Sequence, residues 1–388
     1  MNKKICTNIE SKIIQILYMI VYSYFLMVYW KTTTVLEWKY ITYIYNIMQY
    51  TLCVIVFIKL ADRFIKLIRN FSVELLNVIV AQLVLLIISY IVSFQGKDNS
   101  IFIFMLLLVG ASNVYWKDMA YVYVCIGLIT LSLAFICVNN GMAADFIYTI
   151  DKGGRHSYGI VYPTDFAAHC LFIMMAYVCL RNEKLKFFEI SIMFVVSVVV
   201  YKKTYARNDF VCMLLLCLLL LIVLILRKFN YNICDFRILR VIAFLFTFLS
   251  VFCTLFIILY NNDSAFFVKL NSVLSNRLSL SYRAMDEYGI TLFGTFIQEN
   301  STILGYYFFV DCSYIRIAIK YGCVFFSFLG CIFYGIIHNL IELKEDLLIV
   351  VFIVIAVTGV VEHHIIEIAY GAFFWFIIYA KIALDAKD

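Results

Sequence analysis

Charged residues and proline are both scarce in this chain of 388 residues. Asp, Glu, Lys and Arg together make up 14% of the sequence, 65% is hydrophobic, and there is a single proline. A soluble domain needs more charge to cover its surface, so the composition excludes a soluble globular protein. Apolar runs of about 18–20 residues, each long enough to cross a hydrocarbon layer of about 30 Å, also exclude a β-barrel. The sequence therefore predicts an all-α, polytopic membrane protein.

Metal-ligand spacings are missing as well. The 13 cysteines include no C-x-x-C pair, and most lie inside apolar runs, where cysteine acts as a small hydrophobic residue. The sequence therefore predicts neither a metal site nor a cofactor. The net charge of +6 is accounted for by basic residues in short loops, and it gives no indication of nucleic-acid binding.

Hydrophobic periodicity predicts about 12 transmembrane helices in one integral membrane domain, 1–388. The predicted spans, good to about three residues at each end, are roughly 13–30, 40–58, 75–94, 101–115, 121–138, 165–180, 187–201, 210–226, 241–260, 320–337, 347–361 and 366–384. Most Lys and Arg residues of the short loops fall on the side of the two termini, which predicts that both termini are cytoplasmic.

The longest polar interruption, residues 261–319, is then a large external loop between spans 9 and 10 with amphipathic helices. We predict a helix that is capped by Ser275 and ends at Gly289, because apolar residues recur at helical spacing at Leu278, Tyr282 and Met285. On this helix Arg283 and Glu287 are four residues apart and are expected to form a surface pair.

Two further residues of this loop are candidates for the site. Arg277 is predicted to lie on a different face of the same helix from Arg283. Gly294 is predicted to allow a tight approach of the backbone to a neighbouring segment.

Three smaller polar sites share the predicted external side: 139–164, 201–209 and 362–364. Arg155 and His156 are suited to an anionic head group or a sugar, or to a basic interfacial pair. His169 lies one helical turn after Asp165, which suits either a catalytic pair or a satisfied polar pair inside the helix bundle. Arg207 at the mouth of a span can grip a phosphate, pair with Asp209 or reach the lipid head groups.

The remaining polar residues border the last spans. Asp311 and Ser313 are expected to cap the tenth span, and Asp311 is also placed to serve as a general base. Glu362, His363 and His364 form a polar hinge before the last span. One such cluster without further ligands is weak support for a metal.

Four segments in this order resemble the Wzy-type polysaccharide repeat-unit polymerases of the O-antigen polymerase and ligase superfamily. They read GGRHSYGIVYPTDFAAH, YARNDF, RLSLSYRAMDEYGITLFG and DCSYIRIAIKYG. Arg283 and Gly294 stand at the family's arginine-to-glycine spacing, and the resemblance covers most of the chain from about Asn139 onward. The order and loop sizes make the set more specific than any one motif.

The resemblance implies a GT-C-like fold and a metal-independent glycosyltransferase in the bacterial cytoplasmic (inner) membrane. Such an enzyme joins undecaprenyl-diphosphate-linked repeat units at the outer face of that membrane into O-antigen, capsule or exopolysaccharide. Arg207 and Arg283 would stabilise the departing diphosphate, and Asp311 would act on the acceptor hydroxyl. The implied substrate-binding residues are Arg155, His156, His169, Arg277, Gly294 and His363. The partners are the lipid-linked glycans, the bilayer and a chain-length regulator.

Two departures from the family pattern keep alternatives open. Asp311 stands where ligases have a histidine, and Cys312 stands where an asparagine is usual. The alternatives are a lipid-linked oligosaccharide flippase or other transporter, an O-antigen ligase, and a membrane scaffold without enzymatic activity. A transporter with inverted repeats is expected to have matching halves with broken helices, and the sequence shows no such pair.

Overall fold

The computed structural model describes residues 2–36, 40–112, 114–148, 154–299 and 308–371. Within these ranges the chain is mainly helical. The helices are α1 (Asn2–Thr32), α2 (Tyr45–Arg69), α3 (Val73–Gly96), α4 (Ser100–Gly110), α5 (Trp116–Asn139), α6 (Pro163–Arg181), α7 (Phe187–Thr204), α8 (Arg207–Lys228), α9 (Ile238–Ile242), α10 (Leu245–Ile258), α11 (Ala265–Val273), α12 (Arg277–Tyr288), α13 (Ser313–Glu342) and α14 (Asp346–Val361). Strands β1 (Ile147–Tyr148) and β2 (Arg155–His156) form an antiparallel pair.

Six of the described helices are long and apolar enough to cross a membrane: α1, α3, α5, α6, α8 and α13. Helices α4, α10 and α14 are shorter and also apolar. The chain is therefore an all-α protein of the membrane-spanning type. Each of the first eleven predicted spans contains a helix, and most of the twelfth, 366–384, lies outside the described residues. Helix α13 begins at Ser313, seven residues before the predicted start of the tenth span at residue 320.

Two compact units make up the chain, and the first comprises Met1–Leu83, Ile103–Leu221 and Ile368–Asp388. In this unit α5 packs against α1 and α6, and α6 packs against α7. Two buried tyrosines bond to backbone carbonyls. The Tyr18 hydroxyl donates to Leu107 at 2.8 Å, and the Tyr123 hydroxyl donates to Ala369 at 2.9 Å. These bonds satisfy polar groups that would be costly to leave unpaired in an apolar core.

The second unit comprises Val84–Phe102 and Ile222–Glu367. Helix α13 is its centre and packs against α10, α12 and α14. The buried Tyr314 hydroxyl donates to the Ala356 carbonyl at 2.7 Å and so ties α13 to α14. At the other end of α14, the buried Asp346 carboxylate accepts from Arg227 Nε at 2.9 Å. These contacts hold fixed the segment that enters α13.

A glycine break near the start of α13 brings the segment that follows α12 onto this helix. Gly322 has φ 81° and ψ 163°, so the helical hydrogen-bond ladder is interrupted there. The Cys323 amide donates instead to Thr291 at 2.9 Å, and the Ile319 carbonyl accepts from Thr295 at 3.1 Å. The loop therefore supplies the partners that the broken helix lacks. Gly294, at φ 85°, makes the tight backbone approach that was predicted for it.

Replacing Gly294 with alanine is expected to prevent the loop from docking on α13. A Cβ there would lie 2.6 Å from the Lys320 carbonyl carbon and 2.7 Å from Tyr321 Cα, and the positive φ adds strain. We expect less folded protein after detergent extraction, measured by size-exclusion chromatography. Gly335→Ala is the matched control, because a Cβ there would meet no atom within 4 Å from the rest of the described chain, apart from the backbone of its own helix. Equal yields of folded protein from the two variants would contradict this interpretation.

Candidate functional site

Helix α12 begins with Arg277 and presents it to the second unit's interior. The predicted Ser275 cap is wrong, since Asn276 precedes the helix with φ 65° and makes no side-chain cap bond. The Asn271 side chain on α11 accepts from the Ser279 amide at 3.0 Å instead. The predicted end at Gly289 is confirmed. A neighbouring helix therefore fixes the first turn of α12 and, with it, Arg277.

Arg277 joins two carboxylates that are far apart in the sequence. Its Nε donates to Asp311 Oδ2 at 3.1 Å, and its second terminal nitrogen (Nη2) lies 3.2 Å from Glu362 Oε1. All three side chains are largely buried, with exposed fractions of 13% for Arg277, 14% for Asp311 and 4% for Glu362. A guanidinium suits this position because its planar fork serves two anions at once.

Imidazoles and a third carboxylate continue from this pair. His363 Nδ1 lies 4.0 Å from Asp311 Oδ1, and its Nε2 lies 3.3 Å from Glu367 Oε1. The other Glu367 oxygen lies 3.1 Å from His364 Nδ1, and His364 Nε2 lies 4.0 Å from Glu362 Oε2. We call the resulting closed ring of side chains the Arg277 cluster: Arg277, Asp311, Glu362, His363, His364 and Glu367.

The predicted caps of the tenth span are wrong. Cys312 is the residue before α13, and no side-chain cap bond is made there. The Asp311 carboxylate turns to Arg277 instead, while the Ser313 hydroxyl donates to the Glu362 carbonyl at 2.5 Å. The Asp311 carboxylate is thereby paired with an opposite charge, which a local cap bond does not provide.

A second buried ion pair supports the cluster, and the sequence analysis missed it. Arg316 on α13 pairs with Glu299, and the guanidinium carbon lies 4.6 Å from the centre of the Phe309 ring. Glu299 also accepts from the Val310 amide at 3.0 Å. The sequence signal for this ion pair was an isolated arginine in the first turns of an apolar helix. Its partner could not be identified from the spacing of residues in the sequence.

Burial moves the pKa values of two cluster residues in ways that suit proton transfer. Burial raises the pKa of Asp311 to about 6, with Arg277 opposing the rise and Glu362 adding to it. Burial also lowers the pKa of His363 well below its usual value, so this imidazole is neutral near pH 7. The site therefore contains a carboxylate of increased basicity next to an uncharged imidazole.

An apolar cavity of about 280 Å³ ends at the Arg277 cluster. Helices α10, α11 and α12 contribute most of its lining, which includes Phe252, Phe256, Phe266 and Leu270. Arg277 is the charged residue among the lining residues, and Cys312, next to Asp311, also lines the cavity. The arrangement can hold an apolar chain with an anionic group at the Arg277 end.

Part of the Arg277 cluster has the residue types of a metal site. Glu362, His363 and His364 offer ligand atoms within 4.8 Å of one another, a spacing that suits a metal ion. Arg277 lies among these carboxylates, and Arg316 acts electrostatically on His363. Arg277 pairs with both Asp311 and Glu362, so these carboxylates already have a cation partner inside the cluster. We therefore interpret the cluster as an ion-pair and hydrogen-bond network.

Arg283 lies on the exposed face of α12. The predicted pairing with Glu287 is confirmed, with Nε 3.7 Å from Oε2 and about half of the Arg283 side chain exposed. The guanidinium carbon also lies 5.8 Å from the Phe308 ring centre. Arg283 is therefore not a member of the Arg277 cluster, although both arginines belong to one helix.

The β1–β2 pair of the first unit positions Arg155 and His156. The Arg155 Nε donates to the Thr204 carbonyl at 2.8 Å, which holds Arg155 at the turn between α7 and α8. His156 Nδ1 lies 2.7 Å from Asp145 Oδ2, and Asp145 also accepts from the Ser157 amide at 3.0 Å. The Asp145 carboxylate thus organises this loop and orients the His156 ring.

His169 and Arg207 also belong to the first unit, in contrasting settings. His169 is fully buried and lies between the Trp30 and Tyr370 rings, at centroid distances of 3.8 and 4.1 Å. Its Nε2 lies 2.8 Å from the Thr33 hydroxyl. Arg207 is exposed at the first residue of α8, where a charged group can reach an external anion. His169 is therefore part of the core of this unit, whereas Arg207 is accessible.

Comparison with known proteins adds no relative: no protein-family model, curated protein or solved structure matches the chain. The resemblance to the Wzy-type polymerases therefore depends on the four segments described above. Of the candidate site residues predicted from the sequence, the structure brings Arg277, Asp311 and His363 together.

Proposed function

We propose that this chain polymerises undecaprenyl-diphosphate-linked oligosaccharide repeat units into a surface polysaccharide. The observation that supports this proposal most directly is the apolar cavity that ends at Arg277, next to Asp311. A polyprenyl diphosphate has the matching chemistry, because a long apolar chain ends in a charged group. An acid-base residue then lies next to the phosphate-binding arginine, where the glycosyl bond would react.

In the proposed reaction Arg277 contacts the diphosphate and stabilises its charge as the glycosyl–phosphate bond breaks. Asp311 accepts the proton of the acceptor hydroxyl as its oxygen bonds to the anomeric carbon. The Arg283 side chain is exposed on the same helix and would bind an outer part of the diphosphate or of the glycan. Diphosphate is already a good leaving group, so positioning and charge stabilisation would supply most of the acceleration.

The proposal includes a bacterial cytoplasmic-membrane location with about twelve spans and both termini inside. The site would then lie at the outer face, where lipid-linked repeat units are joined. The bias of basic residues in short loops supports this orientation. We also predict that three residues of the first unit contact an anion or the glycan: Arg155, His156 and Arg207. A chain-length regulator stays a candidate partner.

The surface-polysaccharide ladder on a gel tests this proposal. A strain that lacks the gene should show a single-repeat product, and wild type should restore the full ladder. Arg283→Ala should fail to restore it, whereas Arg237→Ala, which changes an exposed arginine of the second unit, should restore it. Membrane levels are matched by immunoblot.

Two other outcomes would separate the alternatives. A full ladder in the deletion strain would overturn the polymerase proposal and favour transport or ligation. Purified protein in detergent should join two lipid-linked units, which a flippase cannot do because it needs two compartments.

A further inference from the structure

His363 has one ring nitrogen held by a carboxylate and the other directed towards the proposed base. Its Nε2 lies 3.3 Å from Glu367 Oε1, while Nδ1 has no hydrogen-bond partner among the described residues. On the Nδ1 side, Asp311 Oδ1 lies at 4.0 Å. A neutral imidazole with its proton on Nε2 leaves the Nδ1 lone pair facing Asp311.

Glu367 provides a path from His363 to solvent. About one third of its side chain is exposed, whereas Asp311 is largely buried. Burial would raise the pKa of Glu367, but His363, His364 and Arg316 outweigh this effect and lower it. An ionised Glu367 fixes the Nε2 tautomer of His363 and stabilises an imidazolium that forms transiently.

We propose that His363 and Glu367 form a proton relay that carries the acceptor's proton from Asp311 to solvent. This inference rests on the proposed polymerase function and extends it to how Asp311 is reset between turnovers. Asp311 touches the reacting hydroxyl, so His363 and Glu367 act through it.

In the proposed reaction one bond forms, one bond breaks and one proton is passed to solvent. The acceptor oxygen bonds to the anomeric carbon, the anomeric carbon–phosphate oxygen bond breaks, and its electron pair leaves with the diphosphate. The hydroxyl proton moves to Asp311. His363 Nδ1 then accepts this proton, by a small side-chain rotation or through one water across the 4.0 Å gap. The imidazolium then gives its Nε2 proton to Glu367, which releases it to water, and proton exchange with water returns the neutral ring to its Nε2 tautomer.

Groups from every surrounding segment affect the His363 ring. Arg277 on α12 and Arg316 on α13 disfavour its charged form, and His364 acts in the same direction. Glu367 opposes them, and the Phe309 ring packs edge-on at 4.7 Å. The ring is therefore neutral at rest and charged only while it carries the transferred proton.

Chemical rescue of a His363→Ala variant tests the relay, in purified protein supplied with lipid-linked repeat units. We expect kcat to fall roughly tenfold to a hundredfold and to recover in a saturable way as imidazole is added. Glu367→Gln should lower kcat with little change in KM. His338→Ala and Glu183→Gln, at exposed positions, are the matched controls and should keep wild-type kcat.

The outcomes separate the relay from the function on which it rests. Wild-type protein that forms no polymer would overturn the proposed function. Wild-type polymerisation with unchanged kcat in His363→Ala would overturn the relay alone. A loss in His363→Ala that imidazole does not restore would also overturn it, because a purely structural histidine is not replaced by a diffusing base.

Discussion

Replacing Arg277 with glutamine is expected to abolish polymerisation and to destabilise the second unit. The change leaves Asp311 and Glu362 buried next to each other without their shared cation. Removing one partner of a buried ion pair costs about 3–5 kcal/mol. The apparent melting temperature in detergent should therefore fall, and the polysaccharide ladder should collapse to a single repeat.

A double variant separates the loss of stability from the loss of function. Arg277→Gln combined with Glu362→Gln removes one negative charge together with the positive one. We expect its melting temperature to return most of the way to wild type, while the ladder stays absent. Arg277→Lys keeps the charge but not the planar fork, and it should retain stability better than activity.

Arg237→Gln is the control for these variants. It changes an exposed arginine and should alter neither the melting temperature nor the ladder. A full ladder from the double variant would exclude Arg277 from phosphate binding. An unchanged melting temperature in Arg277→Gln would show that the ion pairs contribute little to stability.

Local sequence rules predicted most of the helices in the chain. Each of the first eleven predicted apolar spans contains a helix, Gly289 ends α12, and Arg283 pairs with Glu287 one turn away. The close approach at Gly294 was also predicted. These features depend on residues that are near in sequence or on conformations that glycine favours.

The Arg277 cluster could not be predicted in the same way. Arg277 lies 34 positions from Asp311, and its contact depends on how α12 packs against α13. Sequence reasoning favoured Arg283 because the family spacing starts from it, whereas Arg277 is the buried arginine. Asp311 and Ser313 have the composition of helix caps, but tertiary partners outcompeted the local bonds.

The number of membrane-spanning helices was also difficult to predict from the sequence. Helices α2 and α7 carry charged residues such as Asp62 and Glu189 near one end, so they fall outside the six helices with clear spanning character. Arg181 pairs with Glu189 at 2.6 Å, so that charge is already satisfied within the first unit. Charge pairing of this kind is not visible in a hydropathy profile.

The pH dependence of the rate should identify Asp311 as the base. Its pKa is raised to about 6 by burial, so below that pH the carboxyl group is mostly protonated and cannot accept a proton. The wild-type rate should therefore rise with pH through about 6 and reach a plateau above it. Asp311→Asn should lower kcat by about a hundredfold to ten-thousandfold and should lose this rise.

The size of that effect follows from the environment of the carboxylate. An aspartate with its usual pKa of 3.8 is a weak base near pH 7, whereas one with a pKa of about 6 accepts a proton much more readily and is still mostly ionised. Asp263→Asn, at an exposed position between α10 and α11, is the control and should keep both rate and pH profile. If Asp311→Asn kept the wild-type rate and the same rise near pH 6, Asp311 would only balance the charge of Arg277, and another group would have to act as the base.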